Sequence, residues 1–489
     1  MAAANPASRS RSLRDIVIAN GPWVMLVLAA AAFGQWLVLH DGAVPIVSSD
    51  GLIYYLPDAH ALPGLQGLVD AKVPAGYPLL LGLGFLIGGR DNLDVVLAIQ
   101  AVLLVAAAVE TYALLTMIGF HRLVATLVAA ALAAAPWLVQ WERYILAESL
   151  SVWLIVTLFL AFTQLLRHPT WRWGLVCGLV GAAIPMTRAA LVLIPGTLLL
   201  VFVVRQIALR RGRQHLAPAI VFLVVSYLPV GVYIVANAAL NGCYCYTSIG
   251  NLNLFGKIFE YGMKDLPADP KYATIAQQVA ASDGPNDFLA SHPEYARQNY
   301  SPLSAYARSQ FIRYPGTVVR HTAADLRNLL VMNVDHAVLL EHPYACLNDP
   351  NLPYPLVTGD ALQADDVPLC SKTNVSVGNL GEDVNRVIYA FIFLGYVLLP
   401  LSLVLGAALA WMLPRREHAW LLLAVSAVVA AVLVTASITG YIAFDRLKIP
   451  VDSMALVSAV LLAGELWFVA TGLRRALRNR TEPAPASSA

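Results

Sequence analysis

Charged side chains are scarce in this sequence: Asp, Glu, Lys and Arg make up 13% of its 489 residues, against about 25% in an ordinary soluble domain. That deficit, with 58% hydrophobic residues and a mean hydropathy of +0.66, excludes a soluble globular chain. A net charge of only +2, with no basic patch interleaved with aromatics, excludes nucleic acid as a partner. No internal repeat recurs, and no low-complexity segment is present beyond the tail TEPAPASSA. What is abundant is apolar runs of the roughly 20 residues that a helix needs to cross a bilayer. The sequence reads as an all-α polytopic membrane protein.

The first run, 19–40, follows Arg9, Arg11 and Arg14 much as in a signal peptide. Its length exceeds the usual apolar region of about 7–15 residues, which predicts an uncleaved first helix. Further spans are expected at 93–118, 123–140, 145–166, 172–187, 189–208, 217–239, 385–412, 418–440 and 450–472. The run 77–89 is shorter and interrupted by Gly82, Gly84 and Gly88, which predicts a re-entrant or interfacial helix in the first outer loop. The total is about 10–11 transmembrane helices. With a cytoplasmic N-terminus, the inner loops and their flanking turns hold sixteen of the 32 Lys and Arg residues, as the positive-inside rule requires. The short outer loops hold Lys72, Arg90, Arg143, Arg188, Arg446 and Lys448.

This topology divides the chain into an N-terminal transmembrane module, 1–240, carrying the first outer loop, 41–92; an extracytoplasmic domain, 241–384; C-terminal helices, 385–473; and a cytoplasmic tail, 474–489. Recurring Tyr, Phe, Leu and Val predict a folded mixed domain in 241–384, with helical pieces at 301–313 and 317–332. Only five cysteines are present, and four of them, Cys243, Cys245, Cys346 and Cys370, fall in that outer stretch. Four cysteines in an oxidising compartment predict two disulfides. A C-x-C pair rarely closes on itself, so Cys243 and Cys245 are expected to reach Cys346 and Cys370, in either order. Metal binding is the weaker reading, since no histidine stands at ligand spacing beside them.

Asp50 sits close to the end of the first span, where a charge calls for a partner or a water-filled cleft. Asp58 and Asp70 read as turn and cap residues. The segment KVPAGYPLLLGLGFLIGG, Lys72 to Gly89, resembles the lysine-proline-alanine-glycine-tyrosine segment of the lipid A aminoarabinose transferases. These belong with the protein O-mannosyltransferases in the type-C glycosyltransferase superfamily. RYILAESLSVWLIV, from Arg143, is similar to the second acidic motif of that family, GAAIPMTRAALVLIPG, from Gly181, to its small-residue helix, and DRLKIPVDSMALV, from Asp445, to its last conserved motif. The resemblance covers about residues 15–240 and the final span, and leaves 241–384 uncovered.

The resemblance implies transfer of a sugar from a polyprenyl-phosphate donor to a lipid, glycan or protein acceptor, at an active site facing the periplasm across a bacterial inner membrane. It places a catalytic aspartate at Asp50 and a second acid at Glu148. Relatives often carry Asp-Glu where this chain has Asp50-Gly51, so no metal or other cofactor is expected. The chemistry needs a carboxylate to deprotonate the acceptor hydroxyl and cations to hold the departing phosphate. Lys72, Arg188, Arg446 and Lys448 are the candidates for the phosphate, and Tyr54, Tyr55 and Tyr77 for lining the sugar site. The alternatives are a membrane transporter or lipid or polysaccharide flippase, or a non-catalytic assembly factor on the same fold. A transporter is favoured by inverted repeats and mid-bilayer charge; no repeat is seen, and Glu110 is the main acid deep in a span.

Overall fold

The computed structural model describes residues 13–39, 47, 50–64, 66–90, 92–212, 216–331, 378–440 and 444–481. Within them the regular structure is helical throughout. After α1 (Leu13–Leu39), the chain forms a π-helical turn, Gly51–Tyr55, then α2 (Leu56–Ala61) and α3 (Gly76–Gly88). The N-terminal bundle continues with α4 (Leu93–Met117), α5 (Arg122–Ala134), α6 (Pro136–Gln140), α7 (Glu148–Arg167), α8 (Trp171–Thr187), α9 (Leu193–Ala208) and α10 (Ala217–Asn241). Next come α11 (Ser248–Glu260), α12 (Ala273–Ala280), α13 (Pro285–Ser291), α14 (Glu294–Arg297), α15 (Ser301–Arg313) and α16 (Pro315–Val331). The chain returns through α17 (Gly378–Val397), α18 (Leu399–Met412), α19 (Glu417–Thr439) and α20 (Phe444–Thr481).

Seven of the described helices are long and apolar enough to cross a membrane, or nine if two bent pairs each count as one span. This is a multi-pass membrane protein. The bends are 42° between α5 and the segment from Pro136, and 53° between α17 and α18. Each has a proline in the first turn after the break, Pro136 and Pro400, and proline lacks the N–H that would continue the preceding helix. Adding α8, whose 17 residues lie at the short end of the spanning range, brings nine to ten. α3 has 13 residues, too few to cross.

The spans pack through small residues and a few polar ties. A Cβ at Gly174 would lie 2.5 Å from the Pro218 carbonyl oxygen, and one at Gly178 2.6 Å from Val225 Cβ. This small-xxx-small stripe lets α8 and α10 approach closely. Between α4 and α7, Glu110 accepts from Trp153 Nε1 at 3.1 Å and Thr157 Oγ1 at 2.7 Å.

Helices α11 to α16 enclose a separate core that includes Phe255, Ile258, Phe288, Leu303 and Tyr306. A mixed domain was expected here; residues 248–331 are instead helices and turns, with α15 and α16 close to the expected pieces. Fully buried Lys257 holds Asp325 at 3.0 Å and Glu260 at 2.9 Å. The Tyr261 hydroxyl lies 3.1 Å from both Asp325 Oδ2 and the Ser437 carbonyl, tying these helices to the end of α19.

The cysteine expectation is corrected. Cys243 is joined to Cys245, their Cα atoms 5.2 Å apart, inside the range a disulfide needs. Gly242 caps α10 in the left-handed conformation, which turns the chain sharply just before the pair. Cys346 and Cys370, the expected partners, lie outside the described residues, and Cys177 is a buried free thiol in α8.

Candidate active site

Asp50 precedes the π-helical turn, half-buried, one helical turn ahead of Tyr54. Burial, then the Asp50 carboxylate and the Tyr300 hydroxyl, push the Tyr54 hydroxyl well up, with Asp70 and Tyr55 adding to it. Tyr54 therefore lies within electrostatic reach of Asp50, of Asp70, and of Tyr300 just ahead of α15. Tyr300 and Asn299 adopt φ values of 56° and 51°, a left-handed pair just ahead of α15.

The KVPAGY segment lies directly on the end of α8. A Cβ at Gly76 would sit 2.5 Å from the Met186 carbonyl oxygen and 2.8 Å from Thr187 N. Only glycine permits this crossing, and it sets the Lys72–Tyr77 segment against the residues leading into Arg188. Arg188 leaves α8 in an extended conformation, and its Nη1 lies 3.0 Å from Glu148 Oε1, with 8% and 1% of the two side chains exposed. Glu148 occupies the first turn of α7, where the helix dipole favours a carboxylate.

Tyr77 completes this floor. Its fully buried hydroxyl donates to Gln100 Oε1 at 2.9 Å, and Gln100 Nε2 donates to the carbonyls of Glu142 and Tyr144 at 2.6 and 3.1 Å. Burial and the Glu148 carboxylate push the Tyr77 hydroxyl up. Tyr55 packs edge-on against Tyr77, ring centroids 4.8 Å apart. Asp50, Tyr54, Tyr55, Tyr77, Glu148 and Arg188 are thus linked through successive near neighbours.

Lys72 joins the same site from the loop side. Its Nζ lies 5.5 Å from the Tyr54 ring centroid, and its backbone N donates to Asp70 Oδ1 at 3.0 Å. Asp58 and Asp70, read from the sequence as turn residues, form a carboxyl pair beside it. Burial first, then the adjacent Asp70 carboxylate, push Asp58 up to about 8, with Lys72 pulling the other way. Burial and a neighbouring carboxylate both disfavour the charged form of Asp58.

Lys448 lies in α20. It is 1% exposed, with Nζ 2.9 Å from the Tyr389 hydroxyl and over the rings of Tyr389 and Tyr396 at 5.5 and 5.1 Å. One turn on, Asp452 accepts from Tyr396 at 2.5 Å and Trp137 Nε1 at 2.8 Å. This is a buried tie between α17, α20 and the α5–α6 break. The Arg446 side chain lies outside the described residues. Among the described residues, no cluster of three or more His, Cys, Asp or Glu could hold a metal ion. A cavity lined by Gln35, Thr111, Glu142, Ser453 and others contains none of the site residues.

Sequence reasoning missed Tyr300, Asp452 and Tyr233, whose hydroxyl meets the backbone of Asp70 and Val73. A tyrosine near the end of an apolar span reads as an interfacial belt residue, and nothing in the spacing points to a loop 160 positions away.

No protein-family model matches the chain, and no curated protein matches it in sequence. Among solved structures it is similar to the oligosaccharyltransferase of Archaeoglobus fulgidus in its apo form, at 14% identity and TM-score 0.46, over 95% of this chain and 53% of that one. The chain thus spans about half the length of that protein. It is also similar to ArnT from Cupriavidus metallidurans bound to undecaprenyl phosphate, at 13% identity and TM-score 0.36, over 90% of this chain and 78% of that one. For the apo state of ArnT the values are 15% and 0.36, over 86% and 78%.

Proposed function

We propose that this protein is an integral membrane glycosyltransferase that moves a sugar from a polyprenyl-phosphate donor to an acceptor hydroxyl on the extracytoplasmic side. The observation that carries the reading is the crossing of the KVPAGY segment over the end of α8. It sets the segment that carries Lys72 against the residues leading into Arg188, whose guanidinium meets Glu148. The resemblance of those stretches to the aminoarabinose transferase motifs points the same way.

In this reaction the Asp50 carboxylate takes the proton from the acceptor hydroxyl as its oxygen attacks the anomeric carbon of the sugar. The bond from that carbon to the phosphate oxygen breaks, and its electron pair leaves on the lipid phosphate. Lys72 and the N–H groups of Arg188 not used by Glu148 receive that charge. Glu148 serves through Arg188, holding its guanidinium in a fixed orientation. Tyr54, Tyr55 and Tyr77 line the approach from the loop. Lys448, enclosed by Tyr389 and Tyr396, serves the packing of α20. Glu110, the acid a transporter reading would use, has its carboxylate bonded to Trp153 and Thr157.

The test is mass spectrometry of lipid-linked sugars and envelope glycans from a strain lacking the gene. Accumulation of a polyprenyl-phosphate sugar, with loss of that sugar from an envelope component, is the expected result. An unchanged inventory of both overturns the reading.

A further inference from the structure

We infer that Tyr233 is a positioning residue for the donor phosphate: through its hydroxyl, α10 holds the backbone on both sides of Lys72. This inference rests on the reading of Lys72 as a phosphate ligand. The Tyr233 hydroxyl accepts from Asp70 N at 3.1 Å and stands 2.9 Å from the Asp70 carbonyl and 2.8 Å from the Val73 carbonyl. Asp70 and Val73 flank Lys72 by two positions and one, so a single hydroxyl brackets the residue whose ammonium points at Tyr54. Tyr233 is 4% exposed, and its ring packs edge-on against Tyr246 at 5.8 Å.

Two neighbouring bonds show that this stretch is held from the same side. Asn241, at the end of α10, donates from Nδ2 to the Val69 carbonyl at 3.2 Å, and Ser248 N, at the start of α11, donates to the Ala71 carbonyl at 2.6 Å. The opposite end of the stretch is fixed where Gly76 meets Met186. The segment thus has no regular secondary structure of its own and takes its shape from α8, α10 and α11. A lysine on a four-carbon stem is a flexible point charge. A backbone held on both sides restricts where that charge can reach, which is how binding groups are preorganised.

The chain contains its own control. Tyr227, six residues earlier on α10, makes a comparable bracket with its hydroxyl, accepting from Gly196 N at 2.9 Å and donating to the Val192 carbonyl at 2.8 Å. That bracket joins α10 to α9, and neither of its partners belongs to the stretch around Lys72. Losing either hydroxyl costs hydrogen bonds of the same kind, so a purely structural role affects both variants alike.

The experiment measures binding of polyprenyl phosphate to the full-length protein in nanodiscs, alongside thermal unfolding, for wild type, Tyr233→Phe, Tyr227→Phe, Lys72→Ala and the Lys72→Ala/Tyr233→Phe double variant. The expected result is about tenfold weaker binding in Tyr233→Phe, unchanged binding in Tyr227→Phe, and a double variant no weaker than Lys72→Ala alone. Equal effects of the two tyrosine variants, no effect of either, or additivity with Lys72→Ala overturns the inference while leaving the donor reading intact. A wild-type protein that binds no polyprenyl phosphate overturns the donor reading itself, and this inference with it. If Tyr233→Phe does not fold, Asn241→Ala cuts the same loop free at Val69. Weaker binding in Asn241→Ala supports the inference, and wild-type affinity overturns it.

Discussion

Arg188 and Glu148, forty residues apart in sequence, meet at 3.0 Å with both side chains almost wholly buried. A buried ion pair is costly to break from one side, because the survivor is left as an uncompensated charge, at about 3–5 kcal/mol. Glu148→Ala and Arg188→Ala should each lower the unfolding temperature. The double change to Met at both positions should recover much of that loss, since an apolar pair of similar volume avoids desolvation. Donor use should stay low in the double variant, because the cation is gone. Recovery of both stability and donor use would show the pair to be structural only.

The two lysines separate the site from the packing. Lys72 stands at the loop with its ammonium over Tyr54, and Lys448 is enclosed by Tyr389 and Tyr396. Lys72→Ala should reduce donor affinity by about ten- to a hundredfold, the loss of one charge-assisted bond, with little change in unfolding temperature. Lys448→Ala should show the reverse pattern, a marked drop in stability. Donor titration and thermal unfolding of both variants decide this.

The carboxyl pair gives a pH dependence with a definite sign. Asp58 is raised from 3.8 to about 8 in the folded protein, so between those values the folded state holds a proton that the unfolded state has released. The stabilisation of a protonated Asp58 is complete below the unfolded pKa and is lost as pH rises towards the folded one. Asp58→Asn removes this dependence. Thermal unfolding at about pH 6 and about pH 9 should show a smaller loss in the variant than in wild type. Equal losses would mean that the pair does not share a proton.

The helical architecture was largely legible in the sequence, because apolar runs bounded by Arg-rich loops leave few alternatives. α15 begins and ends at the expected residues 301 and 313. The bends at Pro136 and Pro400 were hidden inside continuous apolar runs, since hydropathy is insensitive to a break in the hydrogen-bond ladder. The Cys243–Cys245 bond was misjudged because the left-handed turn at Gly242 is a backbone event that cysteine spacing does not carry. Asp50, Lys72, Glu148 and Arg188 are proposed from local motifs, whereas Tyr233 meets backbone more than 150 positions away and leaves no local trace. The tyrosines around Lys448 likewise come from another helix and leave no trace in its motif.

The sidedness implied by the loop charges puts residue 212 inside and residue 300 outside. Reporter fusions at those two positions should give opposite signals. The same side for both would overturn the helix count and the placement of every candidate residue.

The most direct test of the central claim is single-turnover transfer from a polyprenyl-phosphate sugar by the purified protein in nanodiscs, run beside donor binding, for wild type and Asp50→Asn. Asn keeps the shape of the side chain but cannot accept the acceptor's proton. Wild type should transfer the sugar, and Asp50→Asn should bind donor normally while turnover falls by about 10²–10⁴. Full turnover in Asp50→Asn would contradict the assignment of Asp50 as the base, and with it the site built around that residue.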